Sequence, residues 1–176
     1  MSIVDSVAAR LLSTLAGLNI EAIFANAGTD FAPLIEASLA LRVQGRDCPD
    51  FVVVPHENVA VAMAIGHYRA KATLAVVMVH TTVGTANALC GIMNAFRDHI
   101  PVLLIAGRTP HTESGSAASR RAMIHWGQDT FDQGGLVREY TKWDYELRSG
   151  QDVAALLHPT RHTNRRRRHV WLEDQC

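Results

Sequence analysis

Phe51-Val52-Val53-Val54-Pro55-His56-Glu57-Asn58-Val59-Ala60 is the stretch that decides the fold. Its first half is a short apolar run of mostly β-branched residues, which favours an extended strand. Its second half opens an alanine-rich helix over residues 57–70. The strand offers no polar side to solvent. Strands of this kind lie in parallel sheets covered by helices on both faces.

The same alternation extends in both directions. Toward the N-terminus, residues 3–17 place Val4, Val7, Ala8, Leu11, Leu12 and Leu15 on one helical face. Residues 20–25 read as a buried strand, and Asn26-Ala27-Gly28-Thr29-Asp30 as a turn. Thr29 or Asp30 is placed to cap the helix that follows, from residue 31 to about 43. Toward the C-terminus come a strand at 74–79, a helix of small residues at 84–96, and a strand at 101–106 stopped by Gly107. The expected fold is α/β, a parallel sheet sandwiched by helices, with right-handed crossovers.

Beyond Gly107 the pattern changes. Residues 108–135 are rich in Gly, Ser, Thr, His and Gln, and read as a long loop with one short helix. Residues 140–147 form a final strand or part of an irregular arm, and residues 150–157 start a last helix. The expected organisation is one domain over residues 1–157 and a basic tail over 158–176, disordered or out of frame. After Leu157 the sequence shifts abruptly to His158-Pro159-Thr160-Arg161 and the run Arg165 to Arg168, which looks like a frameshifted end or a premature stop.

Charge supports that division. The 17 Lys+Arg balance 17 Asp+Glu over the whole chain. Without residues 158–176, which hold five Arg, Glu173 and Asp174, 12 basic residues face 15 acidic ones, a net of −3. The body therefore has no nucleic-acid footprint, and nucleic acid is not the expected partner. No apolar stretch reaches the roughly 18 residues of a membrane span. The start of the chain does not read as a secretory signal, and Cys48, Cys90 and Cys176 show no CxxC spacing. A cytoplasmic location is the default expectation.

In an open parallel sheet, ligands bind beyond the carboxyl ends of the strands. Those ends carry Gly28 and Thr29, then His56 and Glu57, then His80, Thr81 and Thr82, then Gly107, Arg108 and Thr109. Turn chemistry accounts for the two glycines. Glu57 has two readings: a carboxylate in the favourable first turn of a helix, or a catalytic group. His80 is a solvated loop histidine or a proton-transfer group. Several motifs are absent: HExxH fails at its second His, no Gly-Lys-Ser/Thr follows Gly84, and no GxGxxG or GxSxG occurs.

Four segments in order carry a family likeness. They are Phe24-Ala25-Asn26-Ala27-Gly28-Thr29; His56-Glu57 with Ala60, Ala62, Ala64, Gly66, His67, Tyr68, Arg69 and Ala70; Val79-His80-Thr81-Thr82-Val83-Gly84-Thr85-Ala86-Asn87-Ala88; and Asn94-Ala95-Phe96-Arg97-Asp98-His99-Ile100-Pro101-Val102-Leu103. Together they resemble the pyrimidine-binding domain of the acetolactate synthase and benzoylformate decarboxylase family. The likeness covers roughly residues 3–150.

The resemblance implies thiamine diphosphate as cofactor. It implies that Glu57 hydrogen-bonds the pyrimidine ring, and that Ala27, Gly28, Val83 and Asn87 line the cofactor. For Val83 and Asn87 the alternatives are a core valine and a turn-forming asparagine. His80 before the Gly-x-x-Asn loop resembles the benzoylformate decarboxylase branch, where a His there transfers protons. Thr29 takes the place of a substrate-contacting hydroxyl. A 2-keto acid is the implied substrate.

No metal ligands are expected in this chain. In the family, Mg²⁺ and the diphosphate are held by a Gly-Asp-Gly motif on another domain, and no Gly-Asp-Gly occurs here. Three roles stay open: a truncated enzyme inactive alone, a natural small subunit paired with a diphosphate-binding chain, and a non-catalytic binding module. Self-association into a dimer or larger is expected, through an exposed small-residue face over residues 84–95.

Overall fold

A computed structural model describes residues 3–115, 119–148 and 150–157, and the backbone of residues 170–174. The expected first helix is divided. Ile3–Asp5 forms a 3₁₀ turn, and α1 follows at Val7–Gly17. Ser6 makes the division: its hydroxyl accepts from the Ala9 N–H at 3.1 Å, the geometry of an N-cap. Asn19 then takes a left-handed conformation (φ 61°), so the chain reaches the sheet two residues later than expected.

Strand β1 is Ala22–Asn26, α2 Ala32–Val43, β2 Asp50–Val53, α3 Glu57–Lys71 and β3 Ala75–Val79. Helix α4 spans Thr81–Arg97 and β4 Val102–Gly107. After β4 come the short α5 at Ile124–Gly127, two 3₁₀ turns, and β5 at Trp143–Glu146. Residues 153–157 are helical, and β6 is Val170–Asp174. The sheet runs β2-β1-β3-β4-β6-β5, and every neighbouring pair is parallel.

The α/β reading holds because strand side chains alternate between two cores. On β3, Val76 and Met78 face one core with Leu11, Leu12 and Leu15 of α1 and Leu41 of α2. Ala75, Val77 and Val79 face the other, with Ala60, Val61 and Ala64 of α3 and Ala88, Ile92 and Ala95 of α4. All five residues of β3 are buried, as a central strand between two helix layers requires.

Two expectations need correction. Helix α4 begins at Thr81, three residues before Gly84. Its first turn holds Thr81, Thr82 and Val83, whose branched side chains resist helix formation. A tertiary bond opposes that resistance, Thr82 Oγ1 donating to the Gln128 carbonyl at 2.8 Å, and within the helix Thr85 Oγ1 donates to the Thr81 carbonyl at 2.8 Å. Second, the small residues of α4 divide between two faces, and only part of them, including Ala86 and Cys90, is exposed. Gly84, Ala88, Gly91 and Ala95 are buried. A Cβ on Gly91 would stand 2.7 Å from Val61 Cβ, so the glycine lets α3 and α4 approach.

Within the expected tail, residues 170–174 pair in parallel with β4 on one side and β5 on the other. Leu103 aligns with Val170 and Gly107 with Asp174. The backbone groups along β4 need partners on that edge, and this strand supplies them. The Arg165 to Arg168 run lies outside the described residues.

Candidate active site

Polar residues gather where β1, β3 and β4 end, and they form two adjoining centres. The first is built on the start of α3. His56 is the N-cap: its ring Nδ1 accepts from the Asn58 N–H at 3.1 Å. The capping task therefore falls to His56 and not to Glu57. The Glu57 side chain turns inward, and the residue is only 7% exposed. Its Oε2 accepts from Asn87 Nδ2 at 3.1 Å. Thirty positions separate the two in sequence, and the packing of α3 on α4 brings them together. Gly84 completes the centre: a Cβ there would lie 3.3 Å from Glu57 Oε1 and 3.1 Å from Val79 Cβ. Its bare backbone leaves the second carboxylate oxygen uncrowded.

The second centre is a cleft of about 550 Å³. Thr29, Asp30, His80, Arg108, Arg121 and Gln128 are among its lining residues. His80 Nδ1 lies 2.7 Å from Asp30 Oδ1, and His80 Nε2 lies 3.2 Å from Gln128 Nε2. The Asp30 hydrogen bond raises the His80 pKa above the usual imidazole value. Burial opposes the rise, while the charges of Asp30 and Glu57 add to it. Arg108 is fixed by bonds to the Thr130 carbonyl at 2.8 Å and to Glu146 Oε2 at 3.2 Å.

Thr29 and His80 thus share the cleft, and Glu57 and Asn87 share the neighbouring centre. Gly28 lies against the His80 ring. Ala27 is exposed, and Val83 is 59% exposed, so Val83 is not a core valine. Neither Thr29 nor Asp30 caps α2, whose start has no side-chain cap. Asp30 has a better partner in His80, since a charge-assisted bond is stronger than an ordinary cap.

Two residues here went unread in the sequence. Gln128 meets His80. Gln133, 1% exposed, donates to Thr85 Oγ1 and to the Gly107 carbonyl, each at 3.0 Å, and so ties α4 to the end of β4. Both lie in the aperiodic segment after β4, where no pattern singles out one glutamine from another.

A family model described as "Thiamine pyrophosphate enzyme, N-terminal TPP binding domain" matches residues 5–136. This chain belongs to that family. The match takes in both centres of the thiamine pyrophosphate enzyme domain, from Thr29 to Gln128. The acetolactate synthase large subunit of Lactococcus lactis subsp. lactis (strain IL1403) is 26% identical over 147 residues, 84% of this chain and 23% of that protein. Benzoylformate decarboxylase of Pseudomonas aeruginosa is 27% identical over 138 residues, 77% of this chain and 23% of that protein. The chain therefore spans about a quarter of the length of these curated relatives. Among solved structures, the Rhodococcus jostii RHA1 thiamine diphosphate-dependent 4-hydroxybenzoylformate decarboxylase shares the fold. Its TM-score is 0.74 at 20% identity, over 96% of this chain and 29% of that one.

Proposed function

We propose that this domain binds the pyrimidine half of thiamine diphosphate and serves a 2-keto acid decarboxylase or acetolactate synthase-type enzyme. The observation that carries the reading is Glu57. Its carboxylate is buried and is not used as a helix cap. Asn87 engages one of its oxygens. A carboxylate held in this way suits proton exchange with a heterocyclic ring nitrogen. When bound, thiamine diphosphate supplies a nucleophilic ring carbon and an electron sink.

The chain's own residues divide the work. Glu57 holds or moves a proton at the pyrimidine ring. Asn87 orients the carboxylate, and Gly84 leaves room beside it. Ala27, Gly28 and Val83 contribute to the cofactor surface. Across the cleft, the Thr29 hydroxyl and the His80 ring meet the 2-keto acid, and His80 handles its protons. His80 favours the decarboxylase branch. The diphosphate and its Mg²⁺ fall to another unit, within a longer protein or on a separate chain.

Glu57→Gln keeps the size of the side chain and removes its charge. Loss of one positioned proton-transfer group lowers rates by roughly 10²–10⁴. The reconstituted enzyme, this chain with its diphosphate-binding unit, should show that loss in single-turnover measurements with a 2-keto acid. Calorimetric titration with thiamine diphosphate, with and without Mg²⁺, gives the companion binding readout. Turnover near wild type in Glu57→Gln would remove Glu57 from the chemistry.

A further inference from the structure

We propose that Asp30 is a positioning residue for His80: it takes the Nδ1–H bond and leaves Nε2, facing Gln128, as the nitrogen that gains and loses the working proton. An ionised carboxylate only accepts hydrogen bonds, so at 2.7 Å the Nδ1 of His80 is the donor. The opposite nitrogen lies 3.2 Å from the amide nitrogen of Gln128, which donates. A neutral imidazole with its proton on Nδ1 satisfies both contacts.

Protonation of Nε2 reverses the demand on Gln128. Its amide must then present oxygen in place of nitrogen. A half-turn of the amide does this within the same space, because the two ends have nearly the same shape. Gln128 thereby fits both states of the ring. Its own position is fixed through its backbone, whose carbonyl accepts from Thr82 Oγ1 at 2.8 Å.

The backbone is cut to seat this pair. A Cβ on Gly28 would fall 2.2 Å from the His80 ring. Gly28 has φ −134° and ψ −165°, an extended conformation open to any residue, so the ring and not the dihedral requires glycine. A Cβ on Gly107 would fall 1.8 Å from Asp30 Oδ2. A glycine in the turn after β1 and the last residue of β4 thus make room for one hydrogen bond. The pair is also sheltered, with the His80 side chain 23% exposed and that of Asp30 14%.

Other charges face the ring from several elements. Glu57 of α3 acts on it through space. Glu36 of α2, Arg108 after β4, and Arg121 and His125 of the following segment line the same cleft. Asp30 stands out because it alone among the described acids bonds the ring directly. This inference rests on the proposed function only for the use made of the proton. The pairing is a property of the chain alone.

Long-range ¹H–¹⁵N spectra of the full chain, labelled at histidine, test it directly. His80→Gln identifies the His80 signals among the nine histidines. In the wild type, neutral His80 should carry its proton on Nδ1. Asp30→Asn should lower the His80 pKa, and Gln128→Ala should leave the Nδ1–H tautomer in place. A wild-type Nε2–H tautomer would overturn the proposal, as would an unmoved titration in Asp30→Asn. The tautomer needs no variant beyond the assignment, so it decides the matter even if Asp30→Asn fails to fold. Coenzyme binding and Glu57→Gln turnover judge the thiamine diphosphate reading separately, and either can fail alone.

Discussion

Glu57, His80 and Asp30 show how far single residues can be read. Glu57 and Asn87 stood out because fixed motifs carry them, and the fold puts them 3.1 Å apart. For Asp30, as for Thr29, the local pattern offers a helix cap, because such residues before a helix usually serve as one. That role lost to a histidine fifty positions away, which no local pattern announces. Gly28 and Gly107 were read as turn residues, yet their lack of a Cβ matters for the side chains above them. The His80–Asp30 bond also sets a pH dependence. The folded-state pKa of His80 is raised above the ordinary imidazole value, so the bond's stabilisation is fully present below that ordinary value, about 6.5. It is lost as pH rises through the raised value. Thermal denaturation followed from mildly acid to mildly alkaline solution should show a fall in this range. The fall should be smaller in His80→Gln. Equal slopes in the two proteins would show that the pair does not govern stability there.

Helices α3 and α4 illustrate the element scale. Both are rich in small residues, and the sequence alone does not say which of them are contacts. Gly91 sits where the helices meet, with Val61 and Asn58 within 3 Å of the position its Cβ would take. Gly66 of α3 is exposed, and nothing lies within 4 Å of its Cβ position. The same substitution should therefore act in opposite directions. Gly91→Ala overpacks the interface and should destabilise by roughly 1–3 kcal/mol. Gly66→Ala gains helix propensity and should stabilise by up to about 1 kcal/mol. Urea denaturation midpoints measure both. The strands were the most legible elements because of their continuous apolar runs, although β2 lies at the sheet edge with Val53 exposed and is not covered on both faces. The start of α4 was the least legible, because its first turn holds three branched residues and one of them, Thr82, is held by the distant Gln128 carbonyl.

At the scale of the molecule, no described helix is long and apolar enough to cross a membrane. The expected association surface over residues 84–95 is narrowed to its exposed residues and extended by their neighbours on α3. Part of the small-residue surface of α4 is buried within the domain; α4 exposes Val83, Ala86 and Cys90, and α3 exposes Val59 and Met63. These apolar side chains favour burial against another unit. The expected outcome in sedimentation at micromolar concentration is a dimer or larger, and replacing Met63 and Val83 by Ser should shift the balance toward monomer. A wild-type chain that sediments only as monomer would contradict self-association.

The amino-acid order by itself determined the strand–helix alternation, the parallel two-faced sheet and the strand ends at which polar side chains collect. These follow from hydrophobic patterning, which is local and repeats along the chain. Only the tertiary structure decided that His56 caps α3 and frees Glu57, that Asp30 serves His80, and that residues 170–174 join the sheet between β4 and β5. Each of these depends on hydrogen-bonding groups competing for partners across long sequence separations. Which partner wins is settled by distance and burial in the folded chain, and neither quantity is written in residue order.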